Sequence, residues 1–391
     1  MNRFSFTIYF FLREMMKNHF FYVGTKSLPT EDAAIPPSRG IYGFSLDAQT
    51  GELSPHGLMA EAKSPAFLAK HPFLDVIYAI ADSENPSRKD GIVIAFRRDA
   101  ATGTLHRLNA LHTEGAGATH LSVHPDGNDL FTANFHSGTV SFFALKPDGS
   151  LDRLTQLITF TGHGPNSTRQ AVSHPHWIHA DPAGRFVLMC DLGADRIHSY
   201  CRSDERTAWV PNENQPYATV TSGAGCRHAA FSPDGRFLFV VNEITSTLDV
   251  FHYAPETGIL TGLQTVSILP SGFFGQNSAA AIAVSPGGKF LYVSSRGADL
   301  ITVFELSLPE ITSQNSPDAG FSGIFATPIQ FFPSGGSRPR FIMLDPTGRF
   351  LLVFNKKSHN IRVFRIHPET GLLADTGHHA AVPWGVGATF L

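Results

Sequence analysis

A chain of 391 residues, 42% hydrophobic and 16% charged, can bury the core of one large or two average domains. Its net charge of −3 offers no basic surplus for nucleic acid, and no apolar run is long enough for a transmembrane helix, so neither a nucleic-acid nor a membrane partner is expected. Three cysteines, Cys190, Cys201 and Cys226, make no disulfide framework and fit a reducing compartment.

In chain order, Phe4 to Leu12 mimics a signal-peptide core. However, Arg13 and Glu14 follow at once, and no small-x-small cleavage site appears. Residues 1–20 are therefore expected to be a poorly ordered extension, with the fold spanning 21–391. The expected location is the cytoplasm; secretion or periplasmic export through residues 1–20 is the alternative. From Tyr22-Val23-Gly24 onward the chain repeats. An apolar strand followed by a polar turn runs at Gly40 to Phe44, Ile92 to Phe96, Thr139 to Phe143, Arg196 to Tyr200, Thr247 to Phe251, Leu300 to Phe304 and Asn360 to Phe364, seven copies. Between them come His71-Pro72-Phe73-Leu74, His124-Pro125-Asp126-Gly127, Asp181-Pro182-Ala183-Gly184, Ser232-Pro233-Asp234-Gly235, Ser285-Pro286-Gly287-Gly288 and Asp345-Pro346-Thr347-Gly348. Their prolines lie 53, 57, 51, 53 and 60 residues apart. A period near fifty predicts an all-β, seven-bladed β-propeller of four-stranded antiparallel blades. Seven copies of one half against six of the other imply a ring closed within one blade. That blade takes Tyr22-Val23-Gly24 from the N-terminal side and Gly385 to Leu391 as its inner strand, which leaves no edge open. Alternation at Ile361, Arg362, Val363 and Phe364 predicts in, out, in, out.

Each Pro-turn is a hairpin tip, so residues equidistant from it should face one another. Folding about Asp234-Gly235 sets Arg227 beside Glu243. The same operation sets His176 near Asp191, His120 near Asn134, Arg340 near Asn355, Arg296 opposite Ser278 and Ala279, and Pro65 near Asp82. If the first strand of each hairpin is innermost, these residues gather at one mouth of the central channel, a concave polar site.

Certain phrases carry a resemblance. Arg169-Gln170, His174-Pro175-His176 and Asp191-Leu192-Gly193-Ala194-Asp195-Arg196 come first. Gly223-Ala224-Gly225-Cys226-Arg227-His228, Asn242-Glu243, Ser294-Ser295-Arg296-Gly297 and Arg340-Phe341 follow. In this order the chain, from about residue 21 to its end, resembles the seven-bladed propeller lactonases, a family similar to propeller-type 6-phosphogluconolactonases and carboxymuconate cyclases. The resemblance implies a site of His176, Arg227, Glu243 and Arg296, the four that the mirror construction already brings to one mouth. It also implies an acidic residue and a His in the strand before the fifth Pro-turn, where this chain has Ala281-Ile282-Ala283. Cys190 and Cys226 stand where the family has Pro.

Lactone hydrolysis needs an activated water and a stabilised oxyanion. Glu243 or His176 is the candidate base. Asp191 beside His176 would orient the imidazole and favour its protonated form, leaving Glu243 the better base. Arg227 and Arg296 would clamp a phosphate or carboxylate, with Arg340 assisting. His228, His120, Asn134 and Asp191 complete the expected substrate contacts. The structural alternatives are a cross-strand Arg227–Glu243 ion pair, a satisfied His176–Asp191 hydrogen bond and packing roles for His120 and His228. No metal or other cofactor is expected, because His174 and His176 share a strand face and His179 points away. Neither a Gly-x-Ser-x-Gly elbow nor a phosphate loop occurs. The expected substrate is an anionic sugar δ-lactone, 6-phosphogluconolactone of the pentose phosphate pathway by resemblance. The rivals are a carboxymuconate cycloisomerase and a non-catalytic binding propeller. Nothing in the sequence indicates a protein partner.

Overall fold

The Pro phrases fold as their residue types dictate. In five of them the glycine N–H donates to the carbonyl of the residue before the proline, at 2.8–2.9 Å: Gly127, Gly184, Gly235, Gly288 and Gly348. Each of these glycines sits at φ between 68° and 76°, a region open to Gly at no steric cost, while Pro supplies the preset turn angle. The short polar residue in front caps the turn. Asp181, Ser232, Ser285 and Asp345 accept the N–H of Phe186, Phe237, Phe290 and Phe350 at 3.0, 3.0, 3.0 and 2.7 Å. In the degenerate first copy the His71 imidazole takes that part, accepting from Phe73 and Leu74.

The computed structural model describes residues 18–28, 37–85, 87–203, 205, 207–309 and 323–391. They form seven antiparallel sheets arranged as blades and no helix. From the channel outward, blade I is Gly385–Phe390, His19–Thr25, Gly40–Leu46 and Leu53–Glu61. Blade II is Phe67–Lys70, Val76–Asp82, Asp90–Arg98 and Leu105–Ala116. Blade III is Ala118–Val123, Asp129–Asn134, Thr139–Leu145 and Leu151–Thr159. Blade IV is Pro175–Ala180, Phe186–Asp191 and Arg196–Arg202, with its outer strand split into Trp209–Pro211 and Tyr217–Thr219. Blade V is Cys226–Phe231, Phe237–Asn242, Thr247–Ala254 and Ile259–Ser267. Blade VI is Ser278–Val284, Phe290–Arg296, Leu300–Leu306 and Ala326–Pro333. Blade VII is Pro339–Leu344, Phe350–Asn355, Asn360–Ile366 and Leu373–Ala381. The innermost strand of each blade packs on that of the next around the whole ring.

The ring closes as the repeat count implies, with the C-terminal strand innermost in blade I and paired to the N-terminal one from Phe21↔Phe390 to Thr25↔Gly385. The expected extension lies mostly outside the described residues, but His19 and Phe20 are already strand. The core is seven hydrophobic clusters, one in each seam between neighbouring blades. Because each blade is covered on both faces, simple in–out alternation fails. Phe364, expected outside, is buried in the seam between blades VI and VII, while Ile361 and Val363 fill the seam to blade I. Tyrosines latch three seams: Tyr22, Tyr78 and Tyr292 donate to the carbonyls of Gly103, Gly149 and Gly371 in the next blade at 2.6, 2.6 and 3.0 Å.

Candidate active site

At one mouth, six of the seven inner strands carry a β-bulge at their channel-entry end. The extra residue is Val386 in blade I, Thr119 in III, His176 in IV, Arg227 in V and Arg340 in VII, with Ala280 and Ala281 together facing one partner in VI. A bulge re-aims the side chain it frees. Val386, Thr119, His176, Arg227 and Arg340 all line one cavity of about 370 Å³, a volume suited to a small ligand.

The cavity is strongly cationic. Lys26, Arg169, Arg227, Arg296 and Arg340 line it against one carboxylate, Glu243. Arg227 Nε donates to Glu243 Oε2 at 2.9 Å and Arg296 Nη2 to the same oxygen at 2.7 Å, while Arg169 Nη2 takes Oε1. Burial works against the Glu243 charge, but Arg296, Arg227 and Arg169 outweigh it and hold the carboxyl at about 2. Burial, with Arg296 and Arg340 close by, pulls Arg227 well below its ordinary value, and Glu243 opposes that pull. Arg227 Nη1 also donates to Ala280 O; Arg296 donates to Ala279 O at 2.7 Å and to Ser278 O at 3.4 Å. The Arg340 guanidinium makes no hydrogen bond to any described residue.

Three imidazoles sit among these cations. His176 and His228 rings are 5.1 Å apart, and His228 and His120 5.4 Å. His176 and His228 line the cavity; His120 lies beneath, 4.3 Å from the Phe67 ring, with Nδ1 accepting from Ile178 at 3.4 Å. Burial first, then neighbouring cationic or imidazole groups, keep all three well below 6.5, so they are neutral at pH 7. His176 Nδ1 is buried with no hydrogen-bond partner among the described residues. Phe67, Phe135 and Val386 add apolar surface to the lining, with the Phe135 ring 5.6 Å from His176 and the Phe67 ring 6.3 Å from His228.

Three expected substrate contacts do not line the cavity: His120 lies beneath it, and for Asp191 and Asn134 the reason is shared. Asp191 and Asn134 end the second strands of their blades, where side chains turn away from the channel and cap the next turn. Asp191 Oδ1 accepts the N–H of His174, Gly193 and Ala194 at 2.7–3.2 Å, and Oδ2 lies 3.5 Å from His198. Asp191 therefore neither orients His176 nor favours its protonation. Asn134 donates to Thr139 Oγ1 and Ser141 Oγ at 3.1 and 2.8 Å, and Asn242 and Asn355 cap their turns in the same way. The bulge explains the split: it rotates the inner-strand residue into the channel while its register neighbour stays in the sheet.

The hairpin construction missed Arg169, Lys26 and Phe135, which lie on connections outside the Pro-turn hairpins. Arg169 had a trace in the Arg169-Gln170 phrase. Gln170, fully buried, donates to Leu192 O at 2.9 Å and Asp195 Oδ1 at 2.7 Å. Asp195 in turn accepts from Gly223 and Gly225 at 2.7 Å each. One carboxylate thus ties the loop bearing Arg169 to the glycine turn before Arg227.

Residues 20–390 match the model of the lactonase family with a seven-bladed β-propeller. The chain belongs to the seven-bladed propeller lactonases. It is 32% identical over 354 residues to the 6-phosphogluconolactonase of Bacillus subtilis, covering 90% of this chain and 95% of that one. The crystal structure of a putative 6-phosphogluconolactonase from Bacteroides fragilis superposes with a TM-score of 0.81 at 30% identity, over 96% of this chain and 98% of that one. The periplasmic gluconolactonase of Pseudomonas aeruginosa gives 0.83 at 27% identity, over 96% and 99%. In this lactonase Ala281-Ile282-Ala283 stands where the resemblance implied an acidic residue and a His, and the polar contacts on this strand are made by the backbone of Ala279 to Ala281. The carbonyls of Ala279 and Ala280 receive Arg296 and Arg227, and the Ala281 N–H donates to Ser294 Oγ at 3.0 Å. Cys226 buries its thiol against the carbonyls of Asp191 and Arg196 at 3.3 and 3.2 Å, and burial, then Cys190, pushes it well above its ordinary value. It is a packing group rather than a thiolate nucleophile.

Proposed function

We propose that this lactonase hydrolyses the ring ester of a sugar δ-lactone, with 6-phosphogluconolactone as substrate and 6-phosphogluconate as product. The observation that carries the reading is His176: a neutral imidazole on the wall of a guanidinium-rich cavity. A neutral imidazole is in its proton-accepting form at pH 7, as a general base must be. Glu243, the base favoured on sequence, is a poor one, because three guanidinium groups occupy its oxygens and hold it at about 2. Its task is to anchor the arginines.

In the reaction a water gives its proton to His176 as its oxygen bonds to the lactone carbonyl carbon. Negative charge builds on the carbonyl oxygen next to the Arg227 and Arg296 fork, where preset positive charge stabilises it. Collapse breaks the ring C–O bond, and the imidazolium returns its proton to the departing ring oxygen. Freshly prepared 6-phosphogluconolactone in a pH-stat, with glucono-δ-lactone and carboxymuconate alongside, tests this. His176→Asn is expected to lower kcat by roughly 10²-fold or more while the fold stays intact; an unchanged kcat refutes the assignment. Cysteine usage favours the cytoplasm, whereas the periplasmic neighbour fits export through residues 1–20, and cell fractionation decides between them.

A further inference from the structure

The cations of the cavity fall into two groups. Arg169, Arg227 and Arg296 share the Glu243 carboxylate on blades IV to VI. Arg340, on the bulge of blade VII, and Lys26, just past the N-terminal strand of blade I, do not. The Arg340 guanidinium makes no hydrogen bond to a described residue; burial with Arg296 nearby pulls it down to about 10, against the opposing field of Glu243. Burial lowers Lys26; the Asp82 carboxylate opposes this, and Arg340 adds a smaller push downward. Behind them Lys356 stands 5.2 Å over the Trp384 ring, brought down to about 8 by burial, Arg340 and Lys26. Like charges held together in a partly buried wall repel, and among the described residues Glu243 and Asp82 offset them only through space, with no hydrogen bond to the Arg340 or Lys26 side chain. A dianion would bond to both.

We propose that Lys26 and Arg340 form a phosphate subsite across the channel from His176. They would receive the phosphate monoester of the substrate while its lactone carbonyl faces blades IV to VI. The assignment rests on the lactonase reading above and moves the phosphate clamp away from Arg227 and Arg296, which are already engaged by Glu243 and by blade VI carbonyls. The substrate chemistry agrees. In a 6-phosphorylated δ-lactone the ester carbonyl carbon and the carbon that carries the phosphomethyl arm flank the ring oxygen, so the two groups point in diverging directions and are met by separate walls of the cavity. A guanidinium fork beside an ammonium is a donor set suited to a phosphate.

The test is selectivity. The ratio of kcat/KM for 6-phosphogluconolactone to that for glucono-δ-lactone is measured for the full-length wild type, Lys26→Met and Arg340→Gln. Loss of one charged hydrogen bond should lower this ratio by roughly 10- to 100-fold in each variant. Partial unfolding scales both rates alike and leaves the ratio untouched. A ratio held within about twofold of wild type in both variants overturns the subsite. If the wild type turns over neither lactone, the hydrolase reading falls and the subsite is judged by calorimetry. Tighter binding of 6-phosphogluconate than of gluconate, lost in Arg340→Gln, upholds it; equal affinities reject it.

Discussion

His120, His176 and His228 are buried and neutral in the folded chain, yet in the unfolded chain each takes up a proton near pH 6.5. Below that value the unfolded state binds more protons than the folded one, so stability is complete above about 6.5 and is lost as pH falls. Each imidazole can contribute up to about 1.4 kcal/mol per pH unit, so the three together reach roughly 4. Glu243 acts in a lower window, from 4.5 down to about 2, where protonation would release its three arginines. Urea unfolding between pH 7.5 and 5.5 should show this steep decline, and His228→Gln should remove about a third of it. Stability flat across that range would mean that the imidazoles are not held neutral. At this scale His176, Arg227, Glu243 and Arg296 were legible in the sequence, because each lies on a Pro-turn hairpin. Their ionic states were not, since these depend on burial and on charges from other blades.

Among the elements, the loop before blade IV has a function out of proportion to its lack of regular structure. Its Arg169 reaches Glu243 because Gln170 is locked to Leu192 and to Asp195. Gln170→Ala should raise KM by about tenfold with a much smaller change in kcat, since it frees Arg169 without touching His176. A fall in kcat at constant KM would instead make Gln170 part of the chemistry. The hairpins themselves could be read from their turns, where Pro, a polar cap and Gly repeat. The bulges could not, because no local residue type marks them: Val386, Thr119, His176, Arg227 and Arg340 share a position but no side-chain chemistry. This is why Asn134 and Asp191 were expected in the site.

The molecule as a whole depends on blade I, where the two ends of the chain meet. Removing residues 385–391 would expose the pairing edge of His19–Thr25 and take Ala388 away from Phe21 and Val23 in the seam with blade VII. An open edge beside apolar surface invites aggregation. The truncated chain should lose its cooperative thermal transition or be recovered as aggregate. Leu391 N–H already bonds Phe20 O at 3.1 Å. A circular permutant that joins Leu391 to His19 through a short loop and opens the chain near Pro383 should therefore fold and keep lactonase activity. Wild-type melting of the truncated chain would contradict this account of closure.

The sequence by itself determined the number of blades, the hairpin tips, the splice of the termini and the one mouth to which four site residues belong. These follow from turn chemistry, which acts over four or five neighbouring residues and so is written in consecutive letters. Only the tertiary structure decided which member of each facing pair enters the channel, that Glu243 is saturated, and that a chain of net charge −3 gathers five cations around one carboxylate. The reason is that a bulge, a desolvated charge and a shared counter-ion are properties of groups brought together from different blades, and no stretch of chain contains them.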